Sequence, residues 1–202
     1  MPEINLHSGR RDLSILALMY DTGARVQEIA DLKVADIRIK APATIRLTGK
    51  GNKTRIIPLM PQTMSIVKKY MADYGLLDET KQANSLFFNK KSEKLTRAGL
   101  SYILNKYVDQ AKVTNKELFP EKMSAHVLRH SKAMHLLESG VNLIYIRDFL
   151  GHSSVTTTEI YAKSNPEIKR KAIEGASQKV LPKEKFSTKE KEDLCKWLKT
   201  II

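Results

Sequence analysis

A single cysteine, Cys195, is all the thiol chemistry in this 202-residue chain. It excludes an intramolecular disulfide and any cysteine-based zinc knuckle, and it favours a reducing, cytoplasmic compartment. Aromatic residues are scarce at 6%. That is poor material for binding single strands, a mode that stacks bases on exposed rings. No apolar run approaches the length of a bilayer span, and no signal-peptide pattern opens the sequence. Acidic residues are outnumbered, with 22 Asp and Glu against 35 Lys and Arg, for a formal net charge of +13. The expected partner is therefore a polyanion: nucleic acid, an acidic membrane surface or an acidic protein. What remains is ordinary globular material. Hydrophobic residues at 42% and charged residues at 28% suffice for one real core, or one core and a small appendage.

The order of elements reads as mostly helical with one small antiparallel sheet, an α+β arrangement. Residues 12 to 20 have helical periodicity, with Leu13, Leu16, Ala17 and Tyr20 as the expected buried stripe. The turn at 22 to 24 leads to a second helix over 25 to 32. Thr44–Thr48 and Thr54–Leu59 are β-rich and joined by GKGNK, which reads as a hairpin. Pro61 starts a helix carrying Met64, Val67, Met71 and Tyr74. Leu86–Phe88 reads as a short strand. Residues 96 to 111 read as a helix with Leu100, Ile103, Leu104, Tyr107 and Val108 inward. Ser124 is the expected N-cap of a helix to about 138 that Gly140 ends. Asn142–Leu150 is another helix, closed by Gly151, and Thr156–Tyr161 a short one. Asn165 and Pro166 restart a basic helix. A charged linker around Pro182 precedes a last amphipathic helix over 188 to 202, with Leu194, Trp197, Leu198 and Ile201 on one face.

Chemistry-bearing residues recur at separated places. His126 and Arg129 are three apart on one helix face, and His152 and Tyr161 follow a glycine stop. Arg25 follows another glycine turn. Each alone reads as structural, since a histidine on an apolar helix is usually a satisfied packing residue. Two other chemistries are weaker. His126, His130 and His135 have spacings that can bring imidazoles together, but no His-Glu-x-x-His, cysteine pair or adjacent acidic cluster accompanies them, so no metal site is expected. GKGNKT lacks the Gly-Lys-Ser/Thr order of a phosphate loop, and no cofactor is expected.

Taken together, the residues fit one pattern. TGARVQEIADLKVADI, TGKGNKTRIIPL, SAHVLRHS and LGHSSVTTTEIY resemble, in order and spacing, the boxes of the tyrosine recombinase catalytic domain, the family of phage and transposon integrases. The resemblance runs from about residue 10 to 175. It maps the family's active-site residues to Arg25, Lys50, His126, Arg129, His152 and the nucleophile Tyr161, with Lys53 the competitor of Lys50. Within the third box this chain reads SKAMHLL, with Lys132, where many relatives carry an aromatic and small residues. A degenerate, non-catalytic copy would lack one of the six positions, and none is missing. A type IB topoisomerase would use similar chemistry, but the compact His-x-x-Arg box beside LGH and Tyr161 favours the integrase branch.

The resemblance implies a site-specific recombinase that cleaves and rejoins double-stranded DNA through a 3′-phosphotyrosine, without metal or ATP. Arg25 and Arg129 would bind the phosphate oxygens, Lys50 would protonate the leaving 5′-oxygen, His126 would act as base, and His152 would hydrogen-bond a phosphate oxygen. Lys53, Arg55, Arg97 and Lys132 are the further expected DNA contacts. The catalytic domain is expected over 1–180. A tail at 181–202 is expected to dock in cis or to be exchanged between protomers of a cyclic tetramer on DNA. The family's usual N-terminal core-binding domain is not expected in this chain, and accessory DNA-bending proteins are possible partners. Such a half-clasp implies weak, salt-sensitive duplex binding dominated by phosphate contacts.

Overall fold

The computed structural model describes residues 2–3, 5–114, 116–121, 123–152, 154 and 156–159, all within the compact unit Met1–Asn165. The chain opens with α1 (His7–Thr22) and turns at Gly23 into the short α2 (Val26–Ala30). Three strands follow, β1 (Ile37–Arg38), β2 (Thr44–Thr48) and β3 (Thr54–Pro58), in an antiparallel sheet of order β1-β2-β3. Pro61 at the first turn starts α3 (Pro61–Asp73), where its missing N–H costs nothing and its fixed φ suits the helix. Helices α4 (Arg97–Thr114), α5 (Ala125–Glu138) and α6 (Leu143–Leu150) complete the unit, and residues 156–159 are helical. Among the described residues no helix is long and apolar enough to cross a membrane.

One core joins these elements. Ile15, Leu18 and Met19 of α1 meet Val67, Tyr70 and Met71 of α3. Ile45, Leu47 and Ile57 bring the inner face of the sheet, and Leu100, Ile103 and Leu104 bring α4. Each such side chain contributes about 1.5–3 kcal/mol through burial. Strand alternation places Arg55 on that inner face, since Ile45 pairs with Ile57 and Leu47 with Arg55. Ile56, on the opposite face, is 68% exposed.

Several expectations need correction. The buried residues of α1 are Gly9, Asp12, Ser14, Ile15, Leu18, Met19 and Thr22, not the stripe of Leu13, Leu16, Ala17 and Tyr20. The helix packs against both α3 and α5, so apolar residues occur around much of its circumference and periodicity does not select one face. Two hydroxyls tolerate that burial by bonding back to their own helix: Ser14 Oγ donates to the Arg10 carbonyl at 2.9 Å and Thr22 Oγ1 to that of Leu18 at 2.6 Å. Leu86–Phe88 is not a strand of the sheet. Leu86 and Phe87 are buried, but the backbone there makes only isolated bridges, Lys33 to Ser85 and Phe88 to Lys94. A short apolar run signals burial without specifying a pairing partner. The second helix is shorter than 25 to 32 because Arg25 is its N-cap. Strand β1 is an addition to the hairpin. The N-cap backbone at Ser124 is extended as expected, though its side chain makes no cap bond. The helices expected after residue 160 lie outside the described residues.

Tyr70 shows how the loop before α4 is held. Its ring lies fully inside the core, stacked on Phe87 with centroids 5.3 Å apart. Its hydroxyl donates to the Leu86 carbonyl at 2.6 Å. Burial, with a smaller contribution from Tyr74, holds the phenol well above its ordinary pKa, so the donor proton stays in place. Tyr70→Phe keeps the ring and loses this bond, at about 1 kcal/mol, which for a domain of this size lowers Tm by roughly 2–4 °C. Calorimetry measures it, and an unchanged Tm would mean the bond contributes nothing.

Candidate active site

Three chain segments border one cleft of about 630 Å³: the α1–α2 turn with Arg25, the β2–β3 hairpin with Lys50, Lys53 and Arg55, and the end of α6 with Gly151 and His152. Asp148 is its acidic member. The hairpin tip turns through left-handed backbone at Gly51 (φ 73°) and Asn52 (φ 58°), which exposes Lys50 and Lys53 on a short protrusion. Residues with low steric cost at positive φ make that turn possible.

Beneath the cleft lies Glu28, the third residue of α2, with its carboxylate buried. It accepts the backbone N–H of Arg25 at 2.8 Å, which satisfies one orphan donor of the helix start. It also accepts Arg25 Nη1 at 3.0 Å, and Arg55 Nη1 and Nη2 at 2.8 Å each in a fork-on-carboxylate arrangement. Burial alone would raise its pKa. The hydrogen bonds and charge of Arg55, then the backbone N–H and charge of Arg25, outweigh burial and hold it below the ordinary carboxylate value. Two glycines make room for the pair. A Cβ at Gly49 would lie 2.8 Å from Glu28 Oε1. One at Gly151, where φ is +66°, would lie 3.0 Å from Arg55 Nη1.

Arg129 is buried within α5 and reaches across the molecule. Its Nη1 donates to the Gly23 carbonyl and its Nη2 to that of Leu150, each at 2.6 Å. One side chain thus joins the turn bearing Arg25 to the helix end bearing His152. Arg25 Nη2 adds a longer contact to the Gly151 carbonyl, 3.4 Å. His152 Nδ1 is 3.0 Å from Oγ1 of the buried Thr158. Burial first, then the charges of Arg129, Arg25, Arg55 and His130, push its pKa down to about 4, so the ring is neutral near pH 7.

The structure therefore brings Arg25, Lys50 and His152 to one cleft, with Lys53 beside them on the hairpin, and Arg129 buried behind, holding the backbone at Gly23 and Leu150. His126 is exposed in the first turn of α5, outside the cleft lining. Its ring meets His130 edge to face at 4.1 Å. Burial, then His126 and Arg129, lower the pKa of His130. Tyr161 lies outside the described residues. Among the further DNA-contact expectations, Arg55 is committed to Glu28 and to the Phe149 carbonyl. Lys132 turns toward α1, with Nζ 3.4 Å from Asp21 and 5.3 Å above the Tyr20 ring. Arg97 is exposed at the start of α4, in a separate groove with Gln27 and Lys94. Sequence reading missed Glu28. Its signal is the Arg25-x-x-Glu28 spacing at a helix start, a capping arrangement.

Comparison with known proteins identifies the fold and the family. A structure of XerH site-specific recombinase bound to a palindromic difH substrate, in a post-cleavage complex, aligns with a TM-score of 0.69 and 29% identity over 84% of this chain and 47% of that one. The fold is that of a tyrosine recombinase catalytic domain. The sequence model of the phage integrase family matches residues 3–167, and the chain belongs to that family. It is 36% identical to tyrosine recombinase XerD of Corynebacterium glutamicum over 166 residues, 82% of this chain and 52% of the relative. Identity to tyrosine recombinase XerA of Thermococcus onnurineus is 34% over 172 residues, 83% of this chain and 56% of that protein. The chain thus spans about half the length of the curated relatives it matches.

The His152 environment has a measurable consequence. NMR titration of its ring protons should give a midpoint near 4, below the ordinary 6.5. Between those values the unfolded chain binds a proton that the folded chain does not, so the stability contributed by this residue falls as pH drops through that window. A midpoint at the ordinary value would refute the account of burial among cations.

Proposed function

We propose that this chain carries the catalytic part of a site-specific DNA recombinase, cleaving and rejoining duplex DNA through Tyr161. The observation supporting this reading is the convergence of Arg25, Lys50 and His152 from separate segments on one cleft, with the buried Arg129 clamping the turn and the helix end that carry two of them. Phosphoryl transfer concentrates negative charge on the non-bridging oxygens, and preoriented guanidinium groups stabilise it where it develops. Arg25, with its side chain 42% exposed, presents one such fork, and the buried Arg129 adds its positive charge from behind the turn and helix end it clamps. With the developing charge met by fixed cations, neither a metal ion nor ATP is part of the reaction. Attack by the Tyr161 oxygen forms a phosphodiester to the 3′ end and breaks the bond to the 5′-oxygen. Lys50, on the protruding hairpin tip, gives that oxygen its proton. His126 takes the proton of the tyrosine, whose ordinary pKa is about 10. In the tautomer with its proton on Nε2, a neutral His152 accepts from Thr158 Oγ1 at Nδ1 and its Nε2–H donates a hydrogen bond to a phosphate oxygen. Conserving the bond energy in the phosphotyrosine lets a second DNA end reverse the step.

Double-stranded DNA is the partner that fits both the net charge and the cleft. Recombination needs several active sites, which supports a cyclic assembly of copies on DNA, a tetramer in this reading. The tail at 181–202 is the segment proposed to link them, with DNA-bending proteins as auxiliaries.

On a nicked suicide duplex the wild-type chain should form a covalent adduct visible on a denaturing gel, and Tyr161→Phe should form none while still binding DNA. An adduct with the Phe variant would remove Tyr161 as nucleophile. Lys50→Ala should slow cleavage far more than Lys53→Ala, and a 5′-thio leaving group, which departs without a proton, should rescue it. Rescue confined to Lys53→Ala would transfer the acid role to Lys53.

A further inference from the structure

The sequence makes Arg55 a DNA contact, but the structure gives its guanidinium other work. The side chain is only 12% exposed. Nε donates to the Phe149 carbonyl at 2.9 Å, and both terminal nitrogens grip Glu28 at 2.8 Å. Arg25 shares the same carboxylate through Nη1 at 3.0 Å, yet its side chain stays 42% exposed at the cleft. Two guanidinium groups thus divide one negative charge, and the trio keeps a net positive charge.

Without Arg55, the balance changes. Glu28 would be a buried carboxylate with one cationic partner, and a buried charge demands full pairing. Arg25 would be drawn into the fork that Arg55 now occupies, and its charge would be cancelled. From this we infer that Arg55 is a positioning residue: by saturating Glu28 it keeps the charge and the open face of Arg25 available for a DNA phosphate. The inference rests on the phosphate-binding role proposed for Arg25. The bond from Arg55 to Phe149 adds a second effect, because it ties the hairpin carrying Lys50 to the helix whose end carries His152.

Two experiments on the full chain test this. The first is a double-mutant cycle in duplex DNA binding with Arg25→Gln, Arg55→Gln and the double variant. Arg55→Gln should weaken binding about tenfold when Arg25 is present and less than about twofold when Arg25 is already Gln, since coupled residues depart from additivity. Equal losses in both backgrounds would show that Arg55 touches DNA itself and would overturn the inference. Adding Glu28→Gln to Arg55→Gln removes the unbalanced carboxylate, and binding should recover to within about threefold of wild type. A purely structural defect would not recover, and absence of recovery would overturn the inference.

The second needs no DNA. Phenylglyoxal modification of Arg25, mapped by mass spectrometry, should slow several-fold in Arg55→Gln and return to the wild-type rate in Glu28→Gln/Arg55→Gln. An unchanged rate in Arg55→Gln would overturn the inference. The two readings separate cleanly. A chain that shows the labelling pattern but forms no Tyr161 adduct would sink the recombinase reading and leave the role of Arg55 standing. A chain that forms the adduct with no change in labelling would do the reverse.

Discussion

A carboxylate buried beneath a cationic cleft persists only while its charge is fully matched, and the architecture around Glu28 follows from that requirement. Desolvation opposes its ionised form, while two guanidinium groups and a backbone N–H restore it. The matching fixes positions as well as charge. Arg55 must come from the inner face of β3, Arg25 must start α2, and the backbone at positions 49 and 151 must lack a Cβ to let the pair lie close. A loop, a hairpin and a helix end that are far apart in the chain are thereby held at one point.

Charge in this molecule thus has two scales. The net excess of 13 positive charges gives a long-range attraction for a polyanion that salt screens. At the cleft, a few cations are held by hydrogen bonds at 3 Å or less, and, after burial, their charges help to lower the pKa of His152. In the proposed function, the first scale would gather DNA and the second would select where on the strand chemistry occurs.

Elements with strong local signals were legible in the sequence. Pro61 at a helix start, Gly151 at a helix end, and the β-rich segments flanking GKGNK all appear where local chemistry puts them. The boxes that carry Arg25, Lys50 and His152 were also legible, and the fold brings those three residues to one cleft. The face of α1 was not legible, since that helix is packed on two sides and its hydroxyls find partners within the helix itself. Nor was the inward commitment of Arg55, whose place opposite Leu47 depends on strand register, a tertiary property. Glu28 was hidden for a related reason: a glutamate in a five-residue helix looks solvent-facing until the hairpin covers it.

Arg129 addresses the main chain, grasping carbonyl oxygens at Gly23 and Leu150. Every residue type supplies that oxygen. The side chain at 150 can therefore drift with the packing around it while the clamp endures, and what must be inherited is the path of the backbone. Recognition of this kind decouples the durability of the candidate site from the identities of its neighbours, leaving the surrounding surface open to diversification.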